Sequence, residues 1–201
     1  MEETKAKVET AGNNAKEAFS IESIQKQVDA LKDQMQALSK AAPENKVSII
    51  AFSGDLDKIL ASLVIATGAV AMGMDVVMFF TFWGTPVLRD KNKQVGGKDM
   101  MGKMFGTMLP KGTSQVKLGK MNMGGMGTVM MKSLMKKKNV ASLEEMFELA
   151  EELGVRIVVC EMSMDLMGFK REEMINYSHL TYGGVASFLL EAQTSKVQLF
   201  I

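Results

Sequence analysis

Three short β-prone apolar runs most restrict what this chain can fold into. They cover residues 47–52 (VSIIAF), 75–80 (DVVMFF) and 155–160 (VRIVVC). The spacing between them predicts helices. One runs over residues 56–72. A second opens with Ser142 and Glu145, three apart as a capping box requires, and runs to Leu153, where Gly154 ends it. Strands that are apolar along their length and alternate with helices specify an α/β fold, with a mostly parallel sheet covered on both faces. A last helix is expected over residues 181–193 and a closing strand over 197–201.

Ahead of this pattern, residues 19–40 predict an amphipathic helix. Ile21, Ile24, Val28, Leu31, Met35 and Leu38 recur at steps of three and four, the seam of a short coiled coil. Two readings stand: a helix packed on its own domain, or an oligomerisation helix. Ala41, Ala42, Pro43 and Glu44 then read as a linker, because proline cannot continue a helix. The expected organisation is an N-terminal helical extension over 1–42 and a domain over 46–201.

Residues 59–82 carry a single charge, Asp75, and are long enough for a membrane span. Gly68 and Gly73 interrupt them, and the texture turns from Ala-rich to β-prone at Met74. A helix followed by a buried strand accounts for this better, so no stable membrane span is expected. The first ten residues are charged and polar, without a signal-peptide layout, which points to the cytoplasm.

The chain has one Cys and one His in 201 residues. A single Cys excludes an intrachain disulfide. With a single His it cannot complete a four-ligand zinc site from nitrogen and sulfur atoms, and neither a metal nor a cofactor is expected. Any thiol chemistry must run through Cys160. His179 lies in a polar stretch and reads as a structural or surface histidine.

The net charge of +1 hides an uneven distribution. Residues 83–138 hold twelve Lys or Arg against Asp90 and Asp99, a local +10, between flanks of −3 (1–82) and −6 (141–201). Nine of the 18 glycines lie between Gly96 and Gly127, and ten of the 20 methionines between Met100 and Met135. This insert should be adaptable, since glycine loosens order and methionine packs without demanding one geometry. Lys136, Lys137 and Lys138 could touch nucleic acid, but few aromatics stand near to stack on bases, so no nucleic-acid partner is expected. A solvated basic face or a dock for an acidic partner fits better. Met121 with Met123, and Met162 with Met164, have the spacing of thioether Cu(I) sites, yet core filling and contact surface are the better reading.

In an open parallel sheet, ligands bind beyond the carboxyl ends of the strands. Three such ends are visible. The first carries Ser53, Gly54, Asp55 and Lys58, whose backbone N–H groups suit an anion. The second carries Phe82, Trp83 and Gly84, which can wall a cleft. The third carries Cys160, Met162, Ser163 and Met164. A helix expected to start near Ser163 would offer free N–H groups to a thiolate or persulfide, while Glu161 and Asp165 oppose one. A buried structural thiol is the alternative. The glycine spacing of a dinucleotide or phosphate loop is missing.

These strand ends resemble the DsrE/DsrF-like family of small sulfur-transfer proteins, in its subgroup with a long Lys/Met/Gly insert. The resemblance rests on residues 51–58 (AFSGDLDK), 79–84 (FFTFWG), 120–127 (KMNMGGMG) and 160–168 (CEMSMDLMG), within a match over about 46–201. It implies a flavodoxin-like three-layer fold, cytoplasmic oligomers, and a Cys carrying sulfane sulfur as a persulfide; by motif that Cys is Cys160. The expected function is a sulfur carrier or sulfurtransferase whose partners are donor and acceptor proteins or small thiols, and which forms a homo-oligomer. The alternative is a non-catalytic oligomeric scaffold in sulfur metabolism with Cys160 structural. A nucleotide- or flavin-binding role rests on fold analogy alone.

Overall fold

A computed structural model describes residues 21–98 and 100–201, so the start of the extension and Asp99 lie outside the described residues. The chain divides into two units, 1–42 and 43–201. The first holds helix α1 (Ile21–Ala41). The second holds, in order, β1 (Glu44–Ala51), α2 (Leu56–Ala71), β2 (Asp75–Phe80), a 3-10 turn (Phe82–Leu88), α3 (Met100–Met108), α4 (Met126–Lys137), α5 (Leu143–Glu152), β3 (Arg156–Cys160), α6 (Glu161–Met167), β4 (Leu180–Gly183), α7 (Val185–Thr194) and β5 (Ser195–Phe200).

The five strands form one sheet in the order β4-β3-β2-β1-β5, and every pair is parallel. From β1 to β4 the chain steps across the sheet in one direction, then returns past β1 to add β5. Alternation along the strands sorts side chains to two faces. Val47, Ile49, Met78, Phe80, Ile157 and Val159 join Ile59 and Leu63 of α2 and Met146 and Phe147 of α5 in the main core. Phe79 and Cys160 point to the other face and meet Phe188 and Ala192 of α7 in a smaller cluster. The α/β class and the layers read from the sequence are therefore present.

Several boundaries differ from those expected: Ala41 still belongs to α1 and Glu44 opens β1, which cuts the expected linker to Ala42 and Pro43, and the closing strand starts at Ser195. The run over 181–193 is not one helix: residues Leu180–Gly183 form an edge strand, and Gly184 is the N-cap of α7. The helix after the third strand starts at Glu161 rather than near Ser163, which makes Cys160 its N-cap. The capping box of Ser142 and Glu145 forms as expected, Ser142 N donating to Glu145 Oε2 at 2.7 Å. Among the described residues, no helix is long and apolar enough to cross a membrane.

The C-terminal end of α7 is riveted to the sheet by charge. Glu191 accepts from Arg156 Nη1 at 2.6 Å and from Lys46 Nζ at 2.9 Å, and Ser48 and Ser195 share a hydrogen bond of 2.6 Å. The hydrogen bonds from Arg156, then those from Lys46, outweigh burial and hold the Glu191 carboxyl down at about 2. A depressed carboxylate stabilises the fold above its unfolded value and loses that contribution as pH falls toward its folded value. Between about pH 5 and 2 the protein should therefore lose about 2 kcal/mol through this group, allowing for partial solvent screening. Denaturant titrations across that range should show a flatter pH dependence for Glu191→Gln. Identical slopes for the variant and the parent would contradict the assignment.

Candidate functional site

The carboxyl ends of β1, β2 and β3 lie along one edge of the sheet, and the first two are joined by close backbone contact. Thr81 N donates to Ala51 O at 3.2 Å and Gly84 N to Phe52 O at 3.0 Å. Gly54 and Gly84 make the approach reciprocal. A Cβ on Gly54 would lie 2.2 Å from Trp83 O, and one on Gly84 would lie 2.1 Å from Ala51 O. No side chain fits at either position, so the glycines interlock the first two strand ends. The rings of Phe52 and Phe82 lie 5.4 Å apart, and those of Phe52 and Phe200 5.5 Å, which brings β5 into the same edge. Trp83 stands beside them half exposed.

Phe82 has φ +43°, a left-handed conformation that a non-glycine residue rarely adopts. Its N–H donates to Ser163 Oγ at 2.9 Å, and that hydroxyl also shares a 2.9 Å hydrogen bond with Thr81 Oγ1. Ser163 is fully buried. Its hydroxyl thus ties the strained turn after β2 to the helix that follows Cys160. Met164 lies in the main core, whereas Met162 is exposed. Asp55 pairs with Lys58 at 3.2 Å. The insert reaches this edge too: Leu56 N donates to Lys117 O at 2.8 Å, and Gly119 N to Asp57 Oδ1 at 3.2 Å.

Cys160 ends β3 and caps α6. Its backbone is extended at φ −69° and ψ 111°, and its side chain makes no capping hydrogen bond to the helix. The thiol is only 3% exposed. It sits in the small cluster formed by Phe79, Phe188 and Ala192, with Ile50 and Val158 packed against it. The rings of Phe79 and Phe188 stack at 5.1 Å. Across the β3–β4 ladder the register partner of Cys160 is Gly183, which adds no side chain of its own; a Cβ there would meet Ser187 Oγ at 2.5 Å.

The acid that follows Cys160 is neutralised locally. Glu161 accepts from Arg171, whose guanidinium lies over the Tyr182 ring at 4.5 Å. A cavity of about 480 Å³ adjoins this pair, lined by Glu161, Met164, Asp165, Phe169, Lys170, Arg171 and Glu172. A second cavity of about 730 Å³ lies between the start of α5 and the end of α4, and none of the expected site residues lines it. His179 precedes β4 at the opposite edge of the sheet, packs edge-on to Tyr177 at 6.3 Å, and cannot pair with Cys160. No group of three His, Cys, Asp or Glu among the described residues is placed to hold a metal.

The structure therefore divides the expected site residues. Ser53, Gly54, Asp55, Lys58, Phe82, Trp83 and Gly84 form one continuous edge, Ser163 is its internal tie, and Cys160 lies next to it under Phe188. Sequence reasoning did not find Phe188, Gly183 or Arg171. Gly183 and Gly184 were the one available signal, because a glycine pair before an apolar helix marks a chain reversal.

The model of the DsrE/DsrF/DrsH-like family matches residues 43–200. The chain is 43% identical over 156 residues to the uncharacterized protein YrkE of Bacillus subtilis, covering 78% of this chain and 96% of that protein. It is 36% identical over 159 residues to the sulfur carrier protein DsrE2 of Allochromatium vinosum, covering 79% and 99%. The crystal structure of the ychN protein from E. coli is similar at a TM-score of 0.47 and 12% identity, covering 78% of this chain and 98% of that one.

Proposed function

The chain belongs to the DsrE/DsrF/DrsH-like family, and from that premise we propose that it is a sulfur carrier that holds sulfane sulfur as a persulfide on Cys160. The observation that carries the reading is the place of the chain's one cysteine: last residue of a central strand, N-cap of the next helix, and enclosed by apolar side chains. Similarity to a protein named as a sulfur carrier supports the same reading.

The chemistry is a pair of sulfur exchanges. The Cys160 thiolate attacks the outer sulfur of a donor persulfide, RS–SH. The donor S–S bond breaks, a new S–S bond forms on Cys160, and RS⁻ leaves. With a thiosulfonate donor the leaving group is the sulfinate. An acceptor thiolate then attacks the outer sulfur of the Cys160 persulfide and restores the thiolate, so no external oxidant or reductant is consumed. In this reading the sulfur carried on Cys160 is met by the first-turn N–H groups of α6, and Arg171 offsets the charge of Glu161. Phe79 and Phe188 keep water and stray thiols from the loaded sulfur. Because the chain holds one Cys, the acceptor thiol belongs to another molecule or another subunit.

In the alternative reading Cys160 is only packed and the chain is a scaffold. Native-state alkylation separates the two. Under the carrier reading Cys160 reacts without denaturant, through local opening of α7, and Phe188→Ala raises the rate about tenfold or more at unchanged secondary structure. A thiol that reacts only at denaturant concentrations that unfold the protein, in parent and variant alike, supports the scaffold instead.

A further inference from the structure

We propose that α1 forms a parallel, in-register two-stranded coiled coil with the α1 of a second copy of this chain. The helix spans three heptads, with Ile21, Val28 and Met35 at the a positions and Ile24, Leu31 and Leu38 at d. The seam is bare: Ile24, Val28, Leu31, Met35 and Leu38 are exposed at 48, 39, 58, 70 and 71%. A helix of this length with an open apolar stripe is marginal alone in water and gains its stability by burying the stripe.

The occupant is identified by three observations. First, the helix lies outside the family domain. The family match begins at residue 43, and the relatives are covered at 96% and 99% of their own length while the N-terminal fifth of this chain stays unmatched. The main core of the domain likewise begins at Val47. Second, two of the three a positions are β-branched (Ile21 and Val28, with Met35) and two of the three d positions are leucine (Leu31 and Leu38, with Ile24), a pattern weighted toward two parallel strands. Third, the flanking positions fit a like partner. Gln27 and Gln34 occupy g, and Gln25, Lys32 and Ser39 occupy e, while Glu22, Asp29, Lys26, Asp33 and Lys40 lie on the outer b and f positions. Parallel pairing sets Lys32 opposite Gln27 of the second copy. The stalk is about 31 Å long at ~1.5 Å per residue. Both chains leave it at the Pro43 end, so one assembly holds two domains, each with its Cys160. This inference does not depend on the chemistry of Cys160.

The test uses the full-length chain with Cys160→Ser as background, so that any disulfide comes from an introduced thiol. Under mild oxidation, Leu38→Cys and Ile24→Cys should each give covalent dimers, and Asp33→Cys, on the outer face, should give at least tenfold less. Antiparallel pairing would set position 24 opposite 35 and position 38 opposite 21, leaving each seam variant without a covalent dimer, which overturns the parallel arrangement. In a second arm, light scattering of Leu31→Asp without oxidation should show at least a twofold fall in mass, with the thermal transition of the domain unchanged. An unchanged mass overturns the proposal, and an unchanged mass with a lowered transition assigns the seam to the domain itself.

Discussion

Replacing Glu173 by alanine should cost about 3–5 kcal/mol of stability, because it strands the buried Arg89 and the largely buried Lys98. Glu173 is 2% exposed, and Arg89 3%. One carboxylate oxygen of Glu173 accepts from Arg89 Nη2 at 3.2 Å; the other accepts from Lys98 and from the Lys170 N–H at 3.0 Å. Burial alone would push this carboxyl up. The Lys98 hydrogen bond, then the Lys170 N–H and the charges of Lys98 and Arg89, outweigh it and hold the group ionised below the usual carboxylate range. Both cations also lie over the Phe169 ring, at 4.5 Å for Arg89 and 5.4 Å for Lys98. Arg89 in turn donates to Gly106 O at 3.1 Å and Pro110 O at 3.3 Å, and so pins the basic insert to the segment after α6.

The expected effect therefore has two parts. Denaturant unfolding should show the loss of global stability. Limited proteolysis should show earlier cleavage in the segment around Gly106 and Pro110, because its anchor has lost its counter-ion. Replacing Arg89, Lys98 and Glu173 together by apolar residues of similar volume should be milder than Glu173→Ala, since no charge is left buried and unpaired. A loss below about 1 kcal/mol with unchanged cleavage would show that solvent already screens the cluster, against the burial described.

The cluster marks a limit of what the chain announces. A lone Glu or Arg in a sequence reads as surface, and the partners here are 84 residues apart. What makes them core residues is the fold. The central strands were legible because their apolar runs are buried on both faces, and the α5 start was legible because a capping box is a local device. β4 was not: its four residues include half-exposed Leu180 and Tyr182 and carry no apolar run. The helices of the insert were hidden by Gly102 and Gly106 in α3 and by methionines whose exposed positions give no buried face to read. At the site, the position of Cys160 at a strand end followed from sequence. Its enclosure did not, because Phe188 comes from the far side of a chain reversal that was read as continuous helix.

The same geometry leads to the second large effect, complete loss of sulfur loading in Cys160→Ser. A serine hydroxyl keeps the size and polarity of the N-cap but forms no persulfide, and no second cysteine is present to take over. The substitution should leave the fold intact, because serine is a favoured N-cap residue and the remaining cluster of Phe79, Phe188 and Ala192 is unchanged. The direct measurement is intact mass after incubation with a small-molecule persulfide and removal of excess donor. The parent chain should gain about 32 Da, one sulfur atom, and should lose it when an acceptor thiol is added. Cys160→Ser should gain nothing. A parent chain that stays at its original mass, or a Cys160→Ser variant that gains the same adduct, would contradict the assignment of Cys160 as the sulfur-carrying residue.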